Sequence, residues 1–386
     1  MSAIRPARGF CRAEFETRFL RAQREMSALG LDALLVTAPA NFRYFTGFAM
    51  QFWESPTRPW FLILPASGAP IAVVPEIGAG ELAKTWIEDI RAWPAPVPAD
   101  DGTSLLTAAL NSVPHKHGRI GAELGREMSL RMPVAQLREV ESALRFHSIA
   151  DGSPCLWSLR MIKTEAEIAH IHHICQVASR AYGRIPELIN AGDTELEACL
   201  KMQMALLREG ADQVPFLPGI SGPGGVSQIV CGPGERRLAS GDMFFMDTGA
   251  VFDGYFCDFD RVWSVGPPDN DLARAYALVW QATEAGIDVA RPGATTDDLF
   301  AAMARVLGTG DSNVGRFGHG LGLQLTEPPS HMPGDGTVIA ENMVLTIEPG
   351  FEYAPGKMIV HEENVVIRAD GAELLTTRAP AEIPVI

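Results

Sequence analysis

Gly318-His319-Gly320-Leu321-Gly322-Leu323, followed by Ile347-Glu348-Pro349-Gly350 and His361-Glu362-Glu363-Asn364, is the stretch around which this chain is organised. A glycine-flanked histidine and two separate acidic sites fall inside apolar, strand-like sequence. An unpaired carboxylate buried in a core costs on the order of several kcal/mol, so these acids need a counterion. A divalent cation would serve. Its remaining ligands should be carboxylates upstream, and Asp247 and Asp258 are the candidates.

Asp247 ends the apolar run Met243-Phe244-Phe245-Met246, and Asp258 follows Tyr255-Phe256-Cys257. Asp253-Gly254 between them predicts a hairpin turn. The two acids then come within a couple of residues of direct opposition, and cross-strand neighbours lie about 4.5–5.5 Å apart. Asp260 shares a strand face with Asp258 and is an alternative ligand. Glu348 follows the apolar run Met343–Ile347, and Glu362 precedes Val365-Val366-Ile367. Asp247, Asp258, Glu348 and Glu362 with a neutral His319 carry a charge of −4, which two divalent cations balance. Oxygen-rich ligation with one nitrogen suits manganese, cobalt, zinc or iron. Such a pair activates water and stabilises the oxyanion of a hydrolytic reaction. Taken singly, each residue has a plain reading: Asp247 as a strand end, His319 as structural, Glu362 and Glu363 as a solvated edge. The metal reading rests on their combination.

The rest of the chain bounds the answer. Its 386 residues suggest two domains. Lys and Arg total 32 against 47 Asp and Glu, a net charge of −15. That balance excludes nucleic acid as a partner, because phosphates need a basic face. It also argues against an anionic membrane surface, and no run reaches about 18 apolar residues. The N-terminus lacks the apolar core of a secretory signal. Cys11, Cys155, Cys175, Cys199, Cys231 and Cys257 are scattered, the pattern of reduced thiols in a cytoplasm.

Along the chain, a helical period over Phe15–Leu29 is followed by a buried-strand run, Leu31–Thr37, and an aromatic loop, Ala38–Phe48. Strand and helix patterns then alternate to about Ala122, which predicts an α/β layer. Glu139–Arg145 reads as helix. Thr164-Glu165-Ala166-Glu167 is a capping box and opens a second, helical region. A helix over Thr194–Glu209 stops at Gly210. Phe216–Gly225 reads as a Pro/Gly loop, and Asp271–Ile287 and Thr296–Leu307 as helices.

These residues resemble a known family. From about Ile162 to Ile386 the chain is similar to the pita-bread-fold metallohydrolases: methionine aminopeptidase, aminopeptidase P, prolidase and their relatives. The first half resembles the N-terminal domain of creatinase, prolidase and aminopeptidase P, chiefly through Pro39-Ala40-Asn41-Phe42-Arg43-Tyr44-Phe45-Thr46-Gly47-Phe48. The family motifs fall on Asp247, Gly249, Gly254, Tyr255 and Asp258, then on Gly318–Gly322, Glu348–Gly350 and Glu362. The resemblance therefore implies Asp247, Asp258, His319, Glu348 and Glu362 as ligands of two divalent metals, manganese first, with cobalt, zinc or iron as alternatives. It also implies Glu348 as the general base. Departures are as specific. Thr326 stands where family peptidases usually carry a second histidine, and Val230 or Cys231 where they carry another. Asp260 replaces a threonine, and Val360 replaces an arginine. His331 and His361 lie near enough in sequence to compensate.

The expected fold class is α/β (α+β): a creatinase-like N-terminal domain, 1–161, and a pita-bread catalytic domain, 162–386. The leading expectation is a cytoplasmic, homodimeric, dinuclear metallohydrolase that cleaves Xaa-Pro dipeptides or peptides, with Glu348, Thr326 and His331 as catalytic candidates. The alternative is a metalloenzyme of the same fold acting on a small amide or other non-peptide metabolite. A third reading is an inactive binding module, against which the complete ligand set counts.

Overall fold

Leu31-Asp32-Ala33-Leu34-Leu35-Val36-Thr37 is largely apolar on both faces, so a strand made from it must be covered on both sides. In the computed structural model, which describes residues 5–55, 58–308 and 315–386, this run forms strand β1 (Ala33–Val36), buried at every position. Among the described residues it lies in a six-stranded sheet with β2 (Phe61–Pro65), β3 (Ile71–Pro75), β4 (Asp89–Trp93), β5 (Arg119–Ala122) and β6 (Ser148–Asp151). The spatial order is β4-β3-β2-β1-β5-β6. The β1–β2 and β2–β3 pairs are antiparallel and the others parallel, so the sheet is mixed. The helices here are α1 (Arg12–Leu29), α2 (Pro39–Thr46), α3 (Glu76–Leu82), α4 (Thr103–Asn111), α5 (Val134–Ala143) and α6 (Ser153–Met161). Leu106 and Leu110 of α4 and Val140 of α5 share one core with Leu35, Ile63 and Val73 of the sheet.

Ala38–Phe48, expected as a loop, is mostly helix α2. Pro39 sits in its first turn, where a missing N–H has no intrahelical partner to lose. Gly47 closes it in the left-handed region (φ 75°), its N–H donating to Arg43 O. The aromatics that read as loop are the packed face: Phe42, Tyr44 and Phe45 are buried. Helix α5 begins earlier than Glu139 because Pro133 serves as its N-cap, and it ends before Arg145 because Leu144 is extended.

The described chain separates into two compact units, Ala7–Arg160, and Met161–Ile386 with Arg5 and Pro6. In the second, α7 (Glu165–Gly183) opens on the expected capping box. Glu167 N donates to Thr164 Oγ1 at 3.3 Å, and Thr164 N donates to the Glu167 carboxylate at 3.0 Å. This satisfies two donors that a helix start leaves orphaned. A short α8 (Ile185–Leu188) leads to α9 (Glu195–Glu209), capped the same way by Thr194 and Glu197 and closed by Gly210.

The expected Pro/Gly loop at 216–225 is instead largely paired, as β7 (Gln213–Phe216) and β8 (Gly219–Pro223). Residues 219–223 of β8 pair in unbroken antiparallel register with 242–246 of β9 (Asp242–Phe252). Backbone pairing needs no side chains, and proline is tolerated on an edge strand. With β10 (Tyr255–Phe256) and β11 (Phe259–Ser264) these strands form a five-stranded sheet centred on β9.

Helices α10 (Asn270–Val289) and α11 (Thr296–Leu307) follow, then β12 (His319–Gly320), β13 (Glu327–Ser330) and β14 (Val344–Ile347). A hairpin of β15 (Gly350–Ala354) and β16 (Lys357–Val360) precedes β17 (Glu363–Arg368) and β18 (Gly371–Leu374). A second five-stranded sheet has the order β13-β12-β14-β17-β18. Ala282, Leu299 and Met303 of the helices pack on its Leu345, Ile347, Val365 and Ile367. Arg261 of β11 joins the two sheets, donating to Glu362 O at 2.9 Å and to Glu363 Oε2 at 3.0 Å. The acids of β9 and β11 and those of the β14–β17 region are thereby brought together.

Candidate metal centre

The turn at Asp253-Gly254 has positive φ at both residues, 47° and 81°. That is what a two-residue hairpin with right-handed strand twist requires. The returning chain pairs Tyr255 with Phe252, and Asp260 with Asp247. Asp260, not Asp258, is thus directly opposite Asp247. Asp258 lies two residues earlier, on the same face by alternation. Its backbone is clamped from the other sheet: Asp258 N donates to Asn364 Oδ1 at 3.0 Å, and Asn364 Nδ2 donates to Asp258 O.

His319 is aimed by its flanking glycines. Gly318 has φ 126°, and a Cβ there would stand 2.3 Å from Thr346 O. No other residue fits without moving the strand that leads to Glu348. His319 N donates to Thr346 Oγ1 at 3.0 Å, which holds the backbone. The ring Nδ1 lies 2.8 Å from Gly320 O. A carbonyl only accepts, so Nδ1 carries a proton and Nε2 is the ring nitrogen turned toward the acids. Nε2 lies 3.3 Å from Asp258 Oδ2. Imidazoles that ligate metals are held in this way, by a hydrogen bond from the other ring nitrogen.

Glu348 leaves the end of β14 with its N–H on Phe317 O at 3.0 Å. Glu362 and Glu363 are not a solvated edge, since both are buried. Adjacent residues face opposite ways, and their environments diverge. Glu363 meets Arg261 at 3.0 Å and Arg378 at 3.1 Å. Glu362 Oε1 is buried with no hydrogen-bond partner among the described residues.

Ligand atoms of Asp258, His319 and Glu362 all lie within 4.8 Å of one another. Asp247 and Glu348 join them electrostatically. Burial pushes the Asp247 carboxyl well above the usual range, and Asp258 adds to this. Burial raises Glu362 likewise, with Glu348, Asp258 and Asp247 pushing the same way. For Glu348, burial is again the main cause and Asp247 and Asp258 add to it; His319 and Arg316 oppose, and the carboxyl sits at about 8. Four mutually repelling carboxylates around one imidazole nitrogen fit divalent metal, and the orphaned Glu362 oxygen marks where a cation is needed. Asp247 and Glu348 are partly exposed while Asp258, His319 and Glu362 are buried, so the cluster opens on the Asp247–Glu348 side.

Of the residues singled out beyond the ligands, Thr326 is half-buried in the loop before β13. Its hydroxyl accepts from Arg316 Nη2 at 3.3 Å. Arg316 also donates from Nη1 to Ser330 Oγ at 3.2 Å, and its charge pulls down both Asp258 and Glu348. Sequence reasoning missed Arg316. The available signal was a single cation three residues before His319. His331 is fully buried and bonds through Nε2 to Thr346 O at 3.0 Å, bracing the strand behind His319. Burial, then His319, lowers its pKa to about 3, so it stays neutral. His361 faces α10, with Nδ1 3.0 Å from Thr283 Oγ1 and Nε2 3.1 Å from Arg378 Nη1.

Residues 169–369 match Metallopeptidase family M24, and residues 18–162 match the Creatinase/Prolidase N-terminal domain. The chain is 29% identical over 388 residues to a probable dipeptidase PepE of Mycobacterium tuberculosis, covering 98% of this chain and 99% of the relative. The crystal structure of dipeptidase PepE from Mycobacterium ulcerans superposes with a TM-score of 0.84 at 29% identity, over 98% of this chain and 99% of that one. That of a prolidase from Thermococcus sibiricus gives 0.86 at 26% identity, over 96% and 99%.

Proposed function

The chain belongs to metallopeptidase family M24, and from that premise we propose that it is a dinuclear enzyme hydrolysing Xaa-Pro dipeptides or short peptides. It is a hydrolase, and with the family come the expected architecture, a creatinase-like α/β domain followed by a pita-bread domain, and a requirement for divalent metal. In this reading the domain limits are 1–161 and 162–386. The observation that carries the two-metal reading is the convergence of Asp258, His319 and Glu362 within 4.8 Å beside the partly exposed Asp247 and Glu348.

In this reading Asp247, Asp258, His319, Glu348 and Glu362 hold the ions. Divalent metal there supplies a low-pKa water and polarises the scissile carbonyl. The side chains do the rest. Glu348, at the open side of the cluster, takes a proton from the nucleophile and returns one to the leaving amine, the role the family resemblance implies for it. Thr326 cannot be cationic, but it orients Arg316, whose guanidinium supplies positive charge to an anionic substrate end or to the developing oxyanion. His331 keeps the His319 strand in place.

Three finer parts belong to the same reading. Manganese is the metal, because carboxylates dominate the donor set. The protein pairs as a homodimer, as the family resemblance implies. It works in the cytoplasm, where Cys11, Cys155, Cys175, Cys199, Cys231 and Cys257 stay as free thiols. Among the described residues, no helix is long and apolar enough to cross a membrane.

The test is a manganese-loaded screen of Xaa-Pro dipeptides, longer Xaa-Pro peptides, dipeptides without proline and small cyclic amides. Turnover of dipeptides with a preference for proline is expected. Turnover of the small amides alone would overturn the reading.

A further inference from the structure

Asp260 is the residue the expected ligand set leaves out. It pairs directly with Asp247 across β9 and β11, and directly opposed side chains share one face with Cβ atoms about 4.5–5.5 Å apart. Asp260 is 1% exposed, and neither carboxylate oxygen has a hydrogen-bond partner among the described residues. The nearest cation in sequence, Arg261, acts on the Asp260 carboxylate through space but makes no hydrogen bond to it. Arg261 points to the other face, where it bonds to Glu362 O, Glu363 Oε2 and Thr377 O. The acids Asp247 and Glu348 both act on Asp260 through space. A carboxylate in this position, face to face with another and without donors, stays ionised only beside a cation; otherwise it keeps its proton.

We propose that Asp260 is a further carboxylate of the metal centre, held in register with Asp247. This rests on the metal-centre reading above. With Asp247, Asp258, Glu348 and Glu362, the centre then carries a charge of −5 against the +4 of two divalent ions. The excess charge and added oxygen donor shift the site toward hard ions such as manganese and away from zinc. A threonine at this position, usual in the resembling enzymes, supplies no charge.

The test compares metal-free wild type with Asp260→Asn and Asp260→Thr by calorimetric titration with manganese chloride, by cobalt absorption spectra and by thermal melting. Asn keeps the shape and Thr is a smaller neutral residue, so at least one variant should fold. Manganese affinity should fall roughly 10- to 100-fold in both. The cobalt d–d bands should change, and the metal-free variants should melt at or above the wild type, because a buried like-charge contact is gone. Folded variants with wild-type manganese affinity and cobalt spectra would overturn the assignment, whatever their melting temperature. A wild type that takes up neither manganese, cobalt nor zinc would sink the metal-centre reading itself, and this inference with it.

Discussion

Arg316 Nη2 donates to Thr326 Oγ1 at 3.3 Å, so the residue standing in place of an expected histidine is tied to a cation. The side chain that replaces the imidazole is neutral, but the charge is supplied from three residues before His319. The guanidinium is further steadied by Ser330 Oγ at 3.2 Å. Its field lowers Asp258 and Glu348 against the desolvation that raises them.

Arg316→Gln should therefore cut kcat/KM on dipeptides by roughly 10- to 100-fold, the scale of one hydrogen bond to a charged group. Thr326→Val should cost less, about tenfold or below, because Ser330 still holds the guanidinium. Steady-state kinetics with metal content measured in parallel separates the two effects. A larger loss in Thr326→Val than in Arg316→Gln would mean that Thr326, not Arg316, touches the substrate.

Glu348→Gln should lower kcat by about 10²–10⁴-fold if the carboxyl moves protons, with a smaller effect on substrate KM. Single-turnover kinetics on the metal-loaded variant would show the chemical step slowed. A variant that loses metal but, when saturated with manganese, regains wild-type kcat would assign Glu348 to ligation alone.

Metal removal should make stability fall as pH rises. The folded-state pKa of Glu348, about 8, lies above its ordinary value of 4.5 because of burial, and Asp247, Asp258 and Glu362 are raised in the same direction. A carboxyl raised in the folded state contributes stability below its unfolded pKa and loses it as pH climbs through the folded one. Chelated protein should melt at a decreasing temperature from about pH 5 to about pH 8, in the window set by Glu348. Manganese should raise the melting temperature most at the alkaline end. A chelated protein whose melting temperature is flat or rises across that window would contradict the cluster's burial.

Gly318→Ala should destabilise by about 2–4 kcal/mol, since it combines a left-handed φ with a backbone clash. The 2.3 Å approach of a Cβ to Thr346 O would also displace the strand that orients His319 and His331. Urea unfolding would detect the loss of stability. Metal affinity should fall with it, whereas Gly336→Ala, at a glycine with open space around it and no left-handed φ, should leave the affinity unchanged.

Much of the site was legible because it is written in short-range rules. Asp253-Gly254 marks a hairpin whichever fold contains it, since φ above zero is a local demand. The capping box at Thr164 names its own helix. Aromatic and Pro/Gly content misled at Ala38–Phe48 and Phe216–Gly225, because composition does not say whether a segment finds a neighbour to pack or pair with. Helix α2 and strand β8 exist through such neighbours.

The sequence by itself determined the acids and the histidine, the order in which they occur, and the alternation that sets Glu362 and Glu363 on opposite faces. Tertiary structure alone decided which of these charges the protein neutralises. Glu363 is met by Arg261, 102 positions away in the chain, while Glu362 Oε1 and both carboxylate oxygens of Asp260 are left without donors among the described residues. Strand faces follow from a two-residue period within a few residues of sequence. The counterion of a buried carboxylate is set by which distant segment folds against it, and no local pattern carries that information.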